Sequence, residues 1–128
     1  MTHHDCDICI IGGGSGGLSL AAGAAQLGAK IVLFEASKMG GDCLNSGCVP
    51  SKALLAAAKA AHHAKGAASM GIHGSPPKID FAAVKAHLAA VIDGIAPHDS
   101  VERFESLGVA VISEHASFTG RHEVVSKN

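Results

Sequence analysis

An α/β fold built on a parallel sheet is what this sequence predicts, and three observations carry the prediction. Two short apolar runs, Ile8–Ile11 and Ile31–Phe34, flank a stretch rich in Ala and Leu, the pattern of a strand–helix–strand crossover. Between the first run and that stretch lies a tight cluster of glycines, residues 12–17. Further helical segments then lead to a third apolar run at residues 109–112, which keeps strands and helices alternating.

Each element has its own signal. The first run is continuous rather than alternating, which predicts a strand buried on both faces. Residues 18–27 are good helix formers, and Gly28 supplies the stop. Residues 38–47, punctuated by Gly40, Gly41, Asn45 and Gly47, read as a loop. A long helix is predicted from Pro50 to about Ala68, since proline is tolerated in a first turn. Pro76-Pro77 marks a connecting loop, and Asp80 is placed to cap a second long helix. That helix carries Val84, Leu88, Val91, Ile92 and Ile95 on one stripe, which the chain is expected to leave largely uncovered. Pro97 interrupts it, and Asp99 or Ser100 restarts a short helix with Val101, Phe104 and Leu107, ending at Gly108. Residues 123–125 are expected to begin a further strand.

Composition narrows the function. Hydrophobic residues make up 48% of the 128, charged residues 16%, and the formal net charge is -1, which describes a soluble globular chain. Nothing in that balance attracts nucleic acid or an anionic membrane, so neither is an expected partner. No apolar run reaches the ~18 residues of a membrane span. The polar opening Met1-Thr2-His3-His4-Asp5 lacks the basic start of a secretory signal, so a cytoplasmic location is expected. In a reducing compartment, four cysteines point to catalysis, metal binding or burial rather than to structural disulfides.

Gly12-x-Gly14-x-x-Gly17 matches a dinucleotide-binding fingerprint. Its glycines allow a tight turn, close approach of a pyrophosphate, and close packing of helix on strand. The helix start offers free N–H groups and a positive dipole end to phosphates. Glu35 closes the second strand, where an acidic side chain accepts hydrogen bonds from ribose hydroxyls and repels a 2′-phosphate; that argues against NADP at this site. The bland alternative is a loop that merely turns the chain, with Glu35 a solvated strand end. These residues do not decide between FAD and NAD.

Cys43 and Cys48 form a C-x4-C pair on a glycine-flanked loop entering a helix. A helix N-terminus and the nearby Lys52 both favour the thiolate, the reactive form. Such a dithiol beside a bound dinucleotide can pass two electrons to an external substrate. Zinc would need two more ligands, and the x4 gap is atypical; inert burial is disfavoured because both cysteines sit among turn residues. Cys6 and Cys9 are nominally C-x-x-C, but residues three apart on a strand point to opposite faces, so they are set aside as a redox site.

The segment Gly40-Gly41-Asp42-Cys43-Leu44-Asn45-Ser46-Gly47-Cys48-Val49-Pro50-Ser51-Lys52 closely resembles the active-site signature of class I pyridine nucleotide-disulfide oxidoreductases, the family of dihydrolipoamide dehydrogenase, glutathione reductase and mercuric reductase. The resemblance extends through the glycine fingerprint, Glu35 and His115-Ala116-Ser117-Phe118-Thr119. It implies a Rossmann-like FAD-binding domain with a parallel sheet, incomplete here, so that residues 1–128 form its N-terminal part. It implies FAD as cofactor, NAD(P)H as co-substrate on a later domain, and a homodimeric full-length enzyme. The substrate it implies is a small disulfide or dithiol, or mercuric ion. Cys43 would be the interchange thiol that attacks substrate; Cys48 would lie against the isoalloxazine ring as the charge-transfer thiolate. Lys52 would sit near flavin N5. Gly12, Gly14, Ser15 and Gly17 would hold the pyrophosphate, Glu35 the adenosine ribose, and Ala116 the adenine edge. Ala36, Gly41, Asp42, Cys43 and Lys52 would line the remaining cofactor path.

Two departures stand out. Asp42 occupies a position where many relatives carry Thr, and a carboxylate near phosphates is unfavourable unless it points away or accepts an N–H. The chain also lacks the later domains, including the one that supplies the family's catalytic His-Glu pair, so the fragment is expected to be inactive alone. The competing readings are a non-catalytic dinucleotide-binding module and a thiol-based redox or metal sensor.

Overall fold

A computed structural model describes residues 3–126; Met1 and Thr2 of the polar opening, with Lys127 and Asn128, lie outside the described residues. The chain runs β1 (Ile8–Ile11), α1 (Ser15–Gln26), β2 (Ile31–Phe34), α2 (Gly41–Asn45), α3 (Cys48–Gly66), α4 (Phe81–Ile95), α5 (Val101–Ser106), β3 (Ala110–Ile112), β4 (Ala116–Gly120) and β5 (Glu123–Ser126). Single 3-10 turns follow α3 and α4. β1, β2 and β3 form one parallel sheet in that order, and β4 pairs with β5 as an antiparallel hairpin. The α/β class with a parallel sheet is therefore as the sequence predicts.

Register decides which side chains meet. Ile8 pairs with Ile31 and Ile10 with Leu33, so these four share one face of the sheet. Leu18 and Ala21 of α1, Phe104 of α5 and Val109 close over that face and form the main core. Phe104 and Leu33 are the largest fully buried side chains, each stabilising the fold by about 1.5–3 kcal/mol through burial. The opposite face carries Val32 and Phe34, covered by Ala116 and Val124 of the hairpin.

Several expectations are corrected here. β1 is not buried on both faces: Ile10 is buried, but Cys9 and Ile11 are exposed, because the hairpin covers β2 and β3 and stops short of β1. Cys6 and Cys9 do not point to opposite faces. Cys9 pairs with Val32, and Cys6 packs against the cluster that contains Val32, so both lie on the hairpin side. The alternation rule fails because β1 begins only at Ile8 and the chain bends at Asp7. Asp7 fixes that bend by giving its N–H to the Lys30 carbonyl (2.9 Å) and taking the Lys30 N–H on its carboxylate (2.8 Å). Burial raises the Cys9 thiol pKa, and the neighbouring Cys6 raises it further. α1 starts at Ser15 rather than 18, with Leu18 N–H closing the first turn on the Gly14 carbonyl at 2.9 Å. α3 starts at Cys48 rather than Pro50, since the first N–H groups of a helix bond nothing within it and a proline there forfeits none. The 38–47 loop contains the short helix α2, and the segment 115–119 contributes a strand.

α3 and α4 pack against each other as a helical pair, and the short α2 packs against both. Asp80 caps α4 by accepting the Ala83 N–H at 3.1 Å, and Ser100 caps α5 by accepting from Arg103 at 3.2 Å. Val84, Leu88, Val91 and Ile92 are half-buried in that contact, so the stripe is less bare than expected, while Ile95 stays exposed.

Candidate functional site

The glycine turn is held from three sides. Gly12 N–H donates to the Phe34 carbonyl (2.8 Å), and Gly12 takes φ +108°, a left-handed conformation that favours glycine. A Cβ on Gly17 would collide with the Gly12 carbonyl oxygen, so α1 approaches the turn as closely as only glycine allows. Glu35 reaches back from the end of β2: its Oε2 accepts the Gly13 N–H and its Oε1 the Ser37 N–H, each at 2.7 Å. The sequence did not reveal that Glu35 is a latch on the glycine turn. Ser15, Gly16 and Gly17, in the first turn of α1, leave their N–H groups outside the helical ladder and available to an anion.

A cavity of about 210 Å³ opens beside this turn, lined by Ile11, Gly12, Phe34, Glu35, Ala36, Glu114, His115 and Ala116. It brings together Gly12, Glu35, Ala36 and Ala116 from three separate stretches of the chain. Gly14, Ser15, Gly17, Gly41, Asp42, Cys43 and Lys52 lie outside it. Glu114 and Phe34 carried no sequence signal as lining residues; their place follows from the strand ends that the sheet aligns.

The thiol turn docks directly on the glycine turn. Gly40 donates its N–H to the Gly13 carbonyl (2.8 Å), and Gly14 and Gly40 form a parallel bridge. A Cβ on Gly41 would lie 2.7 Å from the Gly14 Cα, which measures how near the two segments run. α2 is anchored by the buried Leu44 and by Asn45, whose side-chain amide donates to the carbonyls of Met39 (3.1 Å) and Gly41 (2.8 Å). Asn45 is a structural tie that sequence reasoning passed over as loop punctuation.

Cys43 lies half-buried on α2, and Cys48 lies exposed as the first residue of α3. Both are free thiols. The Cys43 side chain is hydrogen-bonded to that of Cys48, which is the first cause of its raised pKa; burial and the Cys48 charge add to the rise. The Cys48 backbone N–H and the Lys52 charge act the other way and favour the thiolate. Lys52 stands one turn beyond Cys48 on α3, on the same helix face. The Asp42 carboxylate turns into the link between α2 and α3, where its Oδ1 accepts the Ser46 hydroxyl at 2.6 Å. Chemically, two adjacent thiols of unequal exposure, a lysine and an anion-ready helix start are suited to thiol–disulfide exchange next to a phosphorylated ligand. Among the described residues, no three His, Cys, Asp or Glu side chains group as a metal site, and no helix is long and apolar enough to cross a membrane.

The chain is 42% identical over 90 residues to a dihydrolipoyl dehydrogenase of Bacillus subtilis, covering 70% of this chain and 19% of that protein. It is 46% identical over 85 residues to a mercuric reductase of Streptomyces lividans, covering 66% of this chain and 18% of that protein. A dihydrolipoyl dehydrogenase of Haloferax volcanii is 37% identical over 119 residues, covering 92% of this chain and 24% of that protein. The chain thus spans less than a quarter of the length of these relatives. The family model for pyridine nucleotide-disulphide oxidoreductases matches residues 6–128, and the chain belongs to that family.

Proposed function

We propose that this chain is the N-terminal part of the FAD-binding domain of a flavin-dependent disulfide oxidoreductase. In that enzyme, electrons from NAD(P)H reach the Cys43–Cys48 pair and then a small disulfide, dithiol or mercuric substrate. The observation that carries the reading is the junction of the two turns, where the Gly40 N–H meets the Gly13 carbonyl at 2.8 Å. It sets a reactive dithiol beside a helix start open to phosphates.

The residues fit a flavin dinucleotide. Gly14, Ser15 and Gly17 border the open N–H groups for its pyrophosphate, and Gly41 runs alongside Gly14. Glu35, Ala36 and Ala116 border the cavity that suits an adenosine. Both Glu35 oxygens already hold backbone N–H groups, and each keeps a further lone pair for a ribose hydroxyl. FAD, when bound, supplies two-electron transfer between a nicotinamide and the cysteine pair.

The chain's own thiols do the rest. Cys43 as thiolate attacks one sulfur of a substrate disulfide, forming a mixed disulfide and expelling the other sulfur as a thiol. Cys48 then attacks the Cys43 sulfur, releases the second substrate thiol and leaves a Cys43–Cys48 disulfide. Two electrons have moved from the dithiol to the substrate. Lys52 favours the thiolate that starts the exchange. Run in reverse, the same steps oxidise a dithiol.

Isothermal titration of the purified chain with FAD, NAD and NADP tests the cofactor, and FAD is expected to bind most tightly. Equal or tighter binding of NADP overturns the assignment. In the complete protein, Cys43→Ser is expected to abolish disulfide reduction while Cys48 still perturbs the flavin spectrum; Cys48→Ser removes that perturbation. The reverse pattern overturns the roles given to the two thiols.

A further inference from the structure

We propose that Met39 is a modification site: oxidation of its thioether by a peroxide unfastens Gly13 and weakens the hold of the glycine turn on a dinucleotide. The consequence for binding rests on the reading of that turn as an FAD cradle. The modification and its effect on the turn rest on geometry alone.

Gly13 is gripped on three sides. Its N–H donates to Glu35 Oε2 at 2.7 Å, and its carbonyl accepts the Gly40 N–H at 2.8 Å. The third side is its bare Cα face, where Met39 Sδ lies 2.9 Å from where a Cβ would stand. Glu35 Oε2 is 3.3 Å from that same point, so thioether and carboxylate share the space over one glycine. Met39 is itself held from behind. It packs against the main core cluster, and its carbonyl accepts the Asn45 side-chain amide at 3.1 Å. The side chain that presses the thiol turn onto the glycine turn is therefore a methionine, and it is only half-buried.

The reaction needs only a hydroperoxide. Its O–O bond breaks, an S–O bond forms, the thioether gives up two electrons, and the peroxide leaves as water or an alcohol. A flexible apolar group becomes a polar one. The sulfoxide oxygen is a hydrogen-bond acceptor with partial negative charge. Set beside Glu35 Oε2, it repels the carboxylate and competes with it for the Gly13 N–H. Turned the other way, it carries polarity into the core cluster or draws the side chain off Gly13 toward water. Either course loosens the latch on which the shape of the glycine turn depends. Met70 is the contrasting case: at 71% exposure in the 3-10 turn after α3, it is the more accessible thioether and lies outside the site.

The test uses the full chain as wild type, Met39→Leu and Met70→Leu, each treated with hydrogen peroxide. Dithiothreitol then returns disulfides and sulfenic acids to thiols and leaves methionine sulfoxide in place. Trypsin releases residues 39–52 and 66–78 as separate peptides, so mass spectrometry reads the two methionines independently. Met39→Leu keeps the volume and the apolar contact without an oxidisable sulfur. Peroxide is expected to weaken FAD binding by wild type and Met70→Leu about three- to tenfold, the worth of one hydrogen bond. The Gly13 and Gly40 amides should exchange with solvent faster in the same samples. Met39→Leu, which carries the same cysteines, should change in neither respect. Unchanged exchange at both glycines once Met39 is sulfoxide, an equal loss in Met39→Leu, or a Met39 left unoxidised when Met70 is fully converted overturns the proposal. An untreated wild-type chain that fails to bind FAD overturns the cofactor reading instead, and exchange at Gly13 and Gly40 still decides the modification.

Discussion

β2 and α4 are both apolar segments, yet all four residues of β2 are buried and none of the fifteen in α4 is. The difference lies in what each meets. β2 is paired on both edges and covered on both faces, by α1 and α5 on one side and the β4–β5 hairpin on the other. α4 meets α3, whose inward positions include the small Ala53, Ala57 and Ala61 and so bury little apolar area. The glycine turn is rooted in the first environment, since Gly12 and Glu35 are the residues that directly follow β1 and β2. The thiol turn stands between the two: Leu44 anchors its front, while α3 behind it leaves Leu54 and Leu55 exposed. The glycine turn is thus held by a filled core, and the cysteine pair by a few hydrogen bonds at the core's margin.

The largest expected effect sharpens that contrast directly. Phe104→Ala empties a site under the sheet and is expected to cost about 3–5 kcal/mol. Leu55→Ala, at 67% exposure on α3, is expected to change stability by less than about 0.5 kcal/mol. Urea unfolding of both variants checks this, and comparable losses would break the comparison.

Glycine substitutions give the next contrast, with opposite signs. Gly17→Ala forces the new methyl against the Gly12 carbonyl and is expected to cost about 1–3 kcal/mol, with weakened FAD binding in the same titration. Gly94 lies within α4 with open space at its Cβ position, and Gly94→Ala is expected to stabilise by about 0.5–1 kcal/mol. A destabilising Gly94→Ala would mean that α4 is more tightly packed than its exposure indicates.

These positions also measure what a sequence makes legible. The βαβ unit could be read because its signals are local: apolar runs of strand length, a glycine turn, a helix-forming stretch. Gly17 could be read as a packing glycine because the fingerprint itself encodes close approach. The latch from Glu35 to Gly13 could not, since it depends on how far the end of β2 lies from the turn after β1, which only the sheet register fixes. The same holds for the cavity, whose lining joins residues 11–12, 34–36 and 114–116 through strand alignment. α2 escaped notice because its glycines read as loop; Asn45, bonding back to Met39 and Gly41, supplies the order that helix propensity does not. The Cys6–Cys9 error has the same origin, an alternation rule carried past the bend at Asp7.

Alkaline pH separates the margin from the core. The Cys43 thiol is raised above its ordinary value of 9.0, first by its hydrogen bond with Cys48, and Cys9 is raised chiefly by burial. A thiol whose pKa is higher in the folded state holds its proton more tightly there than when unfolded. Its contribution is complete below the unfolded pKa and is lost as pH rises through the folded one. Stability is therefore expected to fall above about pH 9, and the fall should be shallower in Cys43→Ser. Thermal melts from pH 7 to 10 check this; a Cys43→Ser profile parallel to wild type would place the alkaline sensitivity elsewhere.

The smallest effect expected concerns Lys52, and it tests how much the margin of the fold governs thiol chemistry. Lys52 lowers the Cys43 pKa, but it is the last of five influences on that thiol and is itself exposed. An exposed charge acts through high-dielectric water, so its effect should match that of a surface ion pair. Alkylation by iodoacetamide proceeds through the thiolate, and below the pKa its rate follows the thiolate fraction. Lys52→Met is expected to slow alkylation of Cys43 by about twofold at pH 7. Lys52→Arg, which keeps the charge, should stay within error of wild type. Added salt should shrink the wild-type advantage, because exposed charges are screened beyond a Debye length of about 8–10 Å. A tenfold loss in Lys52→Met would mean that water is excluded from this turn far more than the exposure of Cys48 and Lys52 allows. The thiol pair would then belong with the filled core and not with its margin.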